Sequence, residues 1–178
     1  MSISREFLKN ITCREYRLVI CGGGHVSIPI IQMGKMLGFH VTVLEDRPIF
    51  ADHARAAGAD EVVCDSFENG LLQIEGDSDT YFVIVTRGHR YDMACLRQMI
   101  HKKNAYIGMM GSKTRVKQVM NTLCEEGIEE ELLRRVHSPV GLSIGAQTPE
   151  EIAVSVMAEL IQVKYKNMNA DHSGGNSN

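Results

Sequence analysis

The chain has 178 residues, 44% of them hydrophobic and 23% charged, with a formal net charge of −3 and a pI of about 6.2. That balance suits one globular domain with a substantial core. It argues against the basic surface of a nucleic-acid binder, and no run approaches the roughly 18 apolar residues of a membrane span. The cysteines, Cys13, Cys21, Cys64, Cys95 and Cys124, form no C-x-x-C pair and are odd in number. Reduced thiols of a cytoplasmic protein are therefore expected, rather than a disulfide framework or a structural zinc site.

Residues 1–15 are polar and mixed and carry no apolar signal-peptide core. They read as a lead-in to a domain over residues 16–166. The first strand, Arg17–Cys21, runs into Gly22-Gly23-Gly24-His25-Val26. A helix is expected from His25 to Leu37, with Pro29 in its first turn and Gly38 as its C-cap. Val26, Ile30, Met33, Gly34 and Leu37 would mark its inner face. The second strand, His40–Leu44, is followed by Glu45-Asp46-Arg47-Pro48, and a short helix fits Ile49–Ala57. The third strand is Glu61–Cys64. Residues 65–79 are acidic and turn-rich, with only a weak apolar cluster at Leu71, Leu72 and Ile74. The fourth strand, Tyr81–Thr86, is nearly continuous in apolar residues, as a strand buried on both faces should be. It leads through Arg87-Gly88-His89-Arg90-Tyr91 into a helix over Asp92–Lys102.

A fifth strand, Ala105–Met110, precedes Gly111-Ser112-Lys113, with Ser112 as N-cap of a helix through Cys124. A short helix over Ile128–Val136 follows, and then an ordered loop from His137 to Ala146, marked by Pro139, Gly141 and Gly145. The last helix starts with Thr148 as N-cap, Pro149 at the first helical position and Glu151 completing a capping box. Its apolar stripe is Ile152, Val156, Met157, Leu160 and Val163. The polar tail from Asn167 to Asn178 is expected to be disordered. Alternating strands and helices predict an α/β fold, a Rossmann-like three-layer α/β/α sandwich with a mostly parallel sheet. A lone domain of this kind with a long amphipathic final helix has apolar surface to cover, so a homodimer is expected.

In such sheets ligands sit beyond the carboxyl ends of the strands. That rule gathers Gly22–His25, Glu45–Arg47, Thr86–Asp92 and Gly108–Lys113 into one candidate site. Glycines permit a tight turn and let backbone N–H groups approach a phosphate at a helix N-terminus. The pattern G-x-G-x-x-G maps to Gly22, Gly24 and Ser27. The same turn could equally serve only chain geometry. Glu45 and Asp46 fall about 20 residues past it, where a dinucleotide-binding fold places a carboxylate on ribose hydroxyls; a solvated acidic turn is the plainer alternative. Arg47 beside them could offset that charge or accept a phosphate.

His25 follows the glycines and could hydrogen-bond a phosphate. His89 stands three residues before Asp92, which could orient its ring. A loop histidine is also common as a spacer, and His25, His89 and His137 lack the spacing of a metal site. Gly111-Ser112-Lys113-Thr114 fails as a P-loop, because Ser112 rather than glycine precedes the lysine. Ser112 and Lys113 could still hold an anion.

Taken together, Cys21-Gly22-Gly23-Gly24-His25-Val26, Glu45-Asp46-Arg47-Pro48, Thr86-Arg87-Gly88-His89-Arg90-Tyr91-Asp92, Tyr106-Ile107-Gly108-Met109-Met110-Gly111-Ser112-Lys113, His137-Ser138-Pro139-Val140-Gly141-Leu142 and Thr148-Pro149-Glu150-Glu151-Ile152-Ala153 resemble the XdhC/CoxI family over about residues 17–163. These are accessory proteins of xanthine dehydrogenase and related molybdenum hydroxylases. The resemblance implies a protein that binds a molybdopterin-type cofactor, shelters it during sulfuration and passes it to the apoenzyme. A molybdenum hydroxylase apoenzyme and a cysteine desulfurase are the implied partners. The implied ligand residues are Gly22, Gly23, Gly24, His25, Val26, Glu45, Asp46, Arg47, Thr86, Arg87, Gly88, His89, Gly108, Gly111, Ser112 and Lys113. Longer members carry an N-terminal domain with its own cysteine- and glycine-containing motif. This chain begins almost at the Rossmann domain, so a separate polypeptide would supply that half or this protein would perform part of the task. Two other readings use the same cleft: an NAD(P)-dependent oxidoreductase, or a domain that senses a nucleotide and regulates a partner.

Overall fold

The computed structural model describes residues 14–173. Five strands, β1 (Arg17–Cys21), β2 (His40–Glu45), β3 (Glu61–Cys64), β4 (Thr80–Ile84) and β5 (Tyr106–Met109), form one sheet in the order β3-β2-β1-β4-β5. Every pairing is parallel. The helices are α1 (Ser27–Met36), α2 (Pro48–Ala56), α3 (Phe67–Gln73), α4 (His89–Met99), α5 (Lys113–Glu125), α6 (Glu130–Arg134) and α7 (Pro149–Ser173). None is long and apolar enough to cross a membrane.

Alternation along each strand sorts the core into two layers. Leu18 and Ile20 of β1, Val41 and Val43 of β2, and Tyr81 and Val83 of β4 pack against α1, α2 and α7 through Ile30, Ile31, Ala54, Val156, Met157 and Leu160. Val19 and Cys21, with Phe82, Ile84, Ile107 and Met109, face α3 to α6 through Phe67, Leu71, Cys95, Leu96, Val119 and Leu123. This is the expected α/β/α sandwich. Register lines up the carboxyl ends: Cys21 pairs with both Leu44 and Ile84, and Ile84 pairs with Met109. Gly22, Glu45, Val85 and Met110 therefore leave the sheet at one level. The 137–141 loop docks on the β5 edge, where Met109 N donates to His137 O at 2.9 Å and Val140 N to Met109 O at 3.0 Å.

Several boundaries differ from expectation for identifiable reasons. Residues 65–79 contain α3, capped by Ser66, whose hydroxyl accepts from Asn69 N at 3.2 Å. Gly70 interrupts the helical pattern of its sequence. A Cβ there would collide with the Leu44 side chain, so the glycine is what lets α3 lie close on β2. The chain from Asn167 is helical through Ser173 rather than disordered, because Met168 is buried and its sulfur accepts from the Tyr16 hydroxyl at 3.4 Å. The rest of the expected tail, and residues 1–13 of the lead-in, lie outside the described residues. Within one chain, Val156, Met157 and Leu160 of the α7 stripe are buried against α1 and the sheet, and Ile152 and Val163 are half-buried. That removes the physical reason for expecting a homodimer.

The cap of α7 matches the sequence reading. Thr148 Oγ1 accepts from Glu151 N at 3.2 Å, and Glu151 Oε2 accepts from Thr148 N at 3.0 Å. Thr148→Ala is expected to lower unfolding free energy by about 1 kcal/mol, measured by urea denaturation; an unchanged midpoint would show that the cap contributes nothing.

Candidate functional site

The glycine turn is three residues with three different duties. Gly22 has φ +112°, and a Cβ on it would lie 2.6 Å from Val85 O. Its conformation and the neighbouring β4 end both demand glycine. A Cβ on Gly23 would lie 2.7 Å from Phe50 O. Gly24 is different: a Cβ would meet nothing within 4 Å. The turn closes through Ser27, whose N–H donates to Gly24 O at 2.9 Å and whose hydroxyl donates to Gly22 O at 2.5 Å. Val26 is the N-cap of α1 and supplies no side-chain cap. The N–H groups of Gly24, His25 and Val26 have no acceptor among the described residues. They are the unmatched donors of a helix entry, and they are exposed or half-buried.

Gly23 N–H is already taken. It donates to Glu45 Oε2 at 2.7 Å. Glu45 is 1% exposed, and its other oxygen accepts from Arg47 N at 3.2 Å and Arg47 Nε at 2.8 Å. Arg47 in turn lies over the Phe50 ring, 3.7 Å from its centroid. Asp46 is gripped by the two forks of Arg87 at 2.6 and 2.7 Å, and Arg87 stacks on Tyr91 at 3.9 Å. Those two bonds hold the Asp46 carboxyl down at about 2 and push the Arg87 pKa up. Neither acid after β2 is therefore free for a ribose.

A third acid lies under β4. Asp92 is fully buried; Thr86 Oγ1 donates to it at 2.6 Å and Arg115 Nε at 2.6 Å. Burial raises its pKa despite those bonds. The expectation that Asp92 orients His89 is corrected here: α4 starts at His89, three residues earlier than predicted, and both Asp92 oxygens serve Thr86 and Arg115. Arg115 also donates to Thr86 O at 3.3 Å, which ties the β5 loop to the β4 loop.

The structure thus brings Gly22–Val26, Glu45–Arg47, Thr86–His89 and Gly111–Lys113 to one rim. Gly108 stands apart. It is inside β5, and a Cβ there would run into Tyr106 Oη at 2.5 Å and Val140 at 2.6 Å, so it makes room for the protein's own chain. Ser112 caps α5 by accepting from Arg115 N at 3.2 Å. Lys113 is exposed and lines a cavity of ≈ 490 Å³ with Pro139–Ala146, Ile152 and Ser155. Beneath that loop, Glu159 accepts from Tyr106 Oη at 2.5 Å and Gly141 N at 2.7 Å and meets His137 Nδ1 at 3.0 Å. These bonds keep the Glu159 pKa low against the opposing effect of burial. Sequence reasoning missed Glu159 and Arg115. The available signal was a carboxylate three residues after Val156, at the edge of an apolar stripe, where it requires partners.

Strand order 3-2-1-4-5, with a glycine turn after β1 at the switch point, makes this a Rossmann-type domain. A family model described as the XdhC Rossmann domain matches residues 18–160, and the chain belongs to that family. It is 30% identical over 150 residues to a Bacillus subtilis protein named as a probable xanthine dehydrogenase component, covering 84% of this chain and 43% of that one. It is 34% identical over 149 residues to YqeB of Escherichia coli, covering 83% and 27%. A crystal structure from Bacillus halodurans described as a xanthine dehydrogenase superposes with a TM-score of 0.74 at 32% identity, covering 85% of this chain and 43% of that one. The chain spans less than half the length of these relatives. No group of three or more His, Cys, Asp or Glu suited to a metal ion occurs among the described residues.

Gly22→Ala is expected to cost about 1–3 kcal/mol of stability, whereas Gly24→Ala should stay within about 0.5 kcal/mol of wild type. Thermal denaturation of both variants checks the division of duties, and equal losses would refute it. A carboxylate with a depressed folded pKa adds stability above its unfolded pKa and loses it as pH falls through the folded one. Asp46→Asn should therefore be less stable than wild type near neutral pH. The gap should close as pH falls from about 4 to about 2; a gap independent of pH would show that the Arg87 bridge is not its origin.

Proposed function

We propose that this domain is an accessory factor for a molybdenum hydroxylase of the xanthine dehydrogenase type, and that it holds a phosphorylated, molybdopterin-type cofactor at the Gly24–Val26 turn. The observation that carries the reading is the set of three N–H groups without acceptors at an open glycine, at the positive end of α1. Beyond the ends of β4 and β5, Arg90 and Lys113 are cations with no ion pair among the described residues. That donor set suits a phosphate. The cofactor is cargo here: it supplies its metal chemistry in the hydroxylase that receives it. The chain's own part is to bind and orient the phosphate through Gly24, His25 and Val26. An apo-hydroxylase and a cysteine desulfurase are the partners this role would require.

The oxidoreductase and nucleotide-sensor readings both need a carboxylate on a ribose. Glu45 is committed to Gly23 and Arg47, and Asp46 to Arg87. Those commitments favour a ligand recognised by its phosphate over one recognised by an adenosine ribose.

The test is to purify the protein from cells that make molybdopterin and identify the bound small molecule by mass spectrometry. A phosphorylated pterin is expected. Gly24→Asp sets a carboxylate in open space beside the three donors and should weaken binding more than tenfold, about 1.4 kcal/mol or more, with little change in melting temperature. Full retention of the ligand by that variant, or a nicotinamide dinucleotide in the wild type, would overturn the proposal.

A further inference from the structure

The opposite end of the sheet carries a second cavity, of ≈ 410 Å³. Its walls come from the residues that precede β1, β4 and β5 (Tyr16, Asp79 and Asn104 among them) and from Lys164 near the end of α7. Lys164 is 9% exposed. Its ammonium stands 3.8 Å from the centre of the Tyr16 ring and 5.8 Å from that of Phe39. Among the described residues it makes no hydrogen bond and no ion pair within 4 Å. Arg135 lines the same cavity, is exposed, and likewise has no ion pair among the described residues. The one carboxylate in the wall, Asp79, faces Arg14 at 3.7 Å.

A buried ammonium without an anionic partner is costly unless something supplies the missing charge. Aromatic faces offset part of that cost. Burial lowers the Lys164 pKa, with only the more distant Asp79 opposing it. The cavity is therefore short of negative charge, and its polar wall is large enough for more than a single ion.

We propose that this cavity is a second binding site, for a compact phosphate- or carboxylate-bearing anion, with Lys164 as the buried contact and Arg135 at the mouth. It lies at the amino ends of the strands, whereas the glycine turn lies at their carboxyl ends, so the two sites are separate. The inference does not depend on what the glycine turn binds.

The experiment uses the full chain carrying Gly24→Asp, which silences the rim, and inorganic phosphate as probe against chloride at matched ionic strength. Saturable heat of binding and a rise in melting temperature with phosphate are expected. Adding Lys164→Met should weaken phosphate binding at least tenfold, while Lys164→Arg should preserve it. Arg135→Ala, an exposed change that leaves the core intact, should weaken it several-fold. No specific response to phosphate in the Gly24→Asp chain, or an equal response after Lys164→Met and Arg135→Ala, would overturn the proposal.

Discussion

The hydrogen bond from Gly23 N–H to the buried Glu45 carboxylate fixes the geometry of this rim. It joins the end of β1 to the end of β2 at 2.7 Å and holds the glycine turn in place from below. A carboxylate 1% exposed persists there only because both its oxygens have donors and a cation lies against it. Arg47 supplies that cation and three of the donors, from two residues along the same chain. With Glu45 placed, Gly24 and the amides after it point where no protein atom competes for them. The turn is preorganised by an internal anion one residue away from the three open N–H groups.

The layered fold was largely legible because strands buried on both faces read as unbroken apolar runs. Leu18–Cys21 and Tyr81–Val85 could be nothing else, and the glycines at 38, 58 and 127 stop the helices as positive-φ residues do. What escaped was structure that depends on distant contacts. Asn69-Gly70 inside α3 reads as a turn until Leu44 is seen to need the missing side chain. The end of α7 reads as polar until Met168 and Lys164 are seen against Tyr16. In both cases tertiary packing overrode a weak local preference.

The site was legible as a set of loops and illegible as a set of pairs. Spacing put the acids after β2 and the glycines after β1, and the parallel sheet put both at one rim. Nothing in spacing says that Arg87 reaches 41 positions back to Asp46, or that Arg115 rather than His89 takes Asp92. Ion pairs between loops are set by where helices end to within a turn, and element boundaries are what sequence patterns fix least well. The three-residue shift in the start of α4 moved His89 from loop to helix and detached it from its expected partner.

The pairing also sets which charges of the rim stay uncompensated. Glu45, Asp46 and Asp92 are matched one to one by Arg47, Arg87 and Arg115. With those six cancelled, Arg90 and Lys113 remain beyond β4 and β5, and Asp65 and Glu68 remain beyond β3. The partial positive charge of the α1 entry and the acceptor-free N–H groups of Gly24, His25 and Val26 lie between those two sets, at the middle strand of the sheet. Glu45 and Asp92 are buried, so neither can turn outward without leaving a guanidinium unpaired, while Asp46 keeps an edge open to solvent. The three acids are thus spent on internal pairs, and the donors left over at the end of β1 are backbone N–H groups.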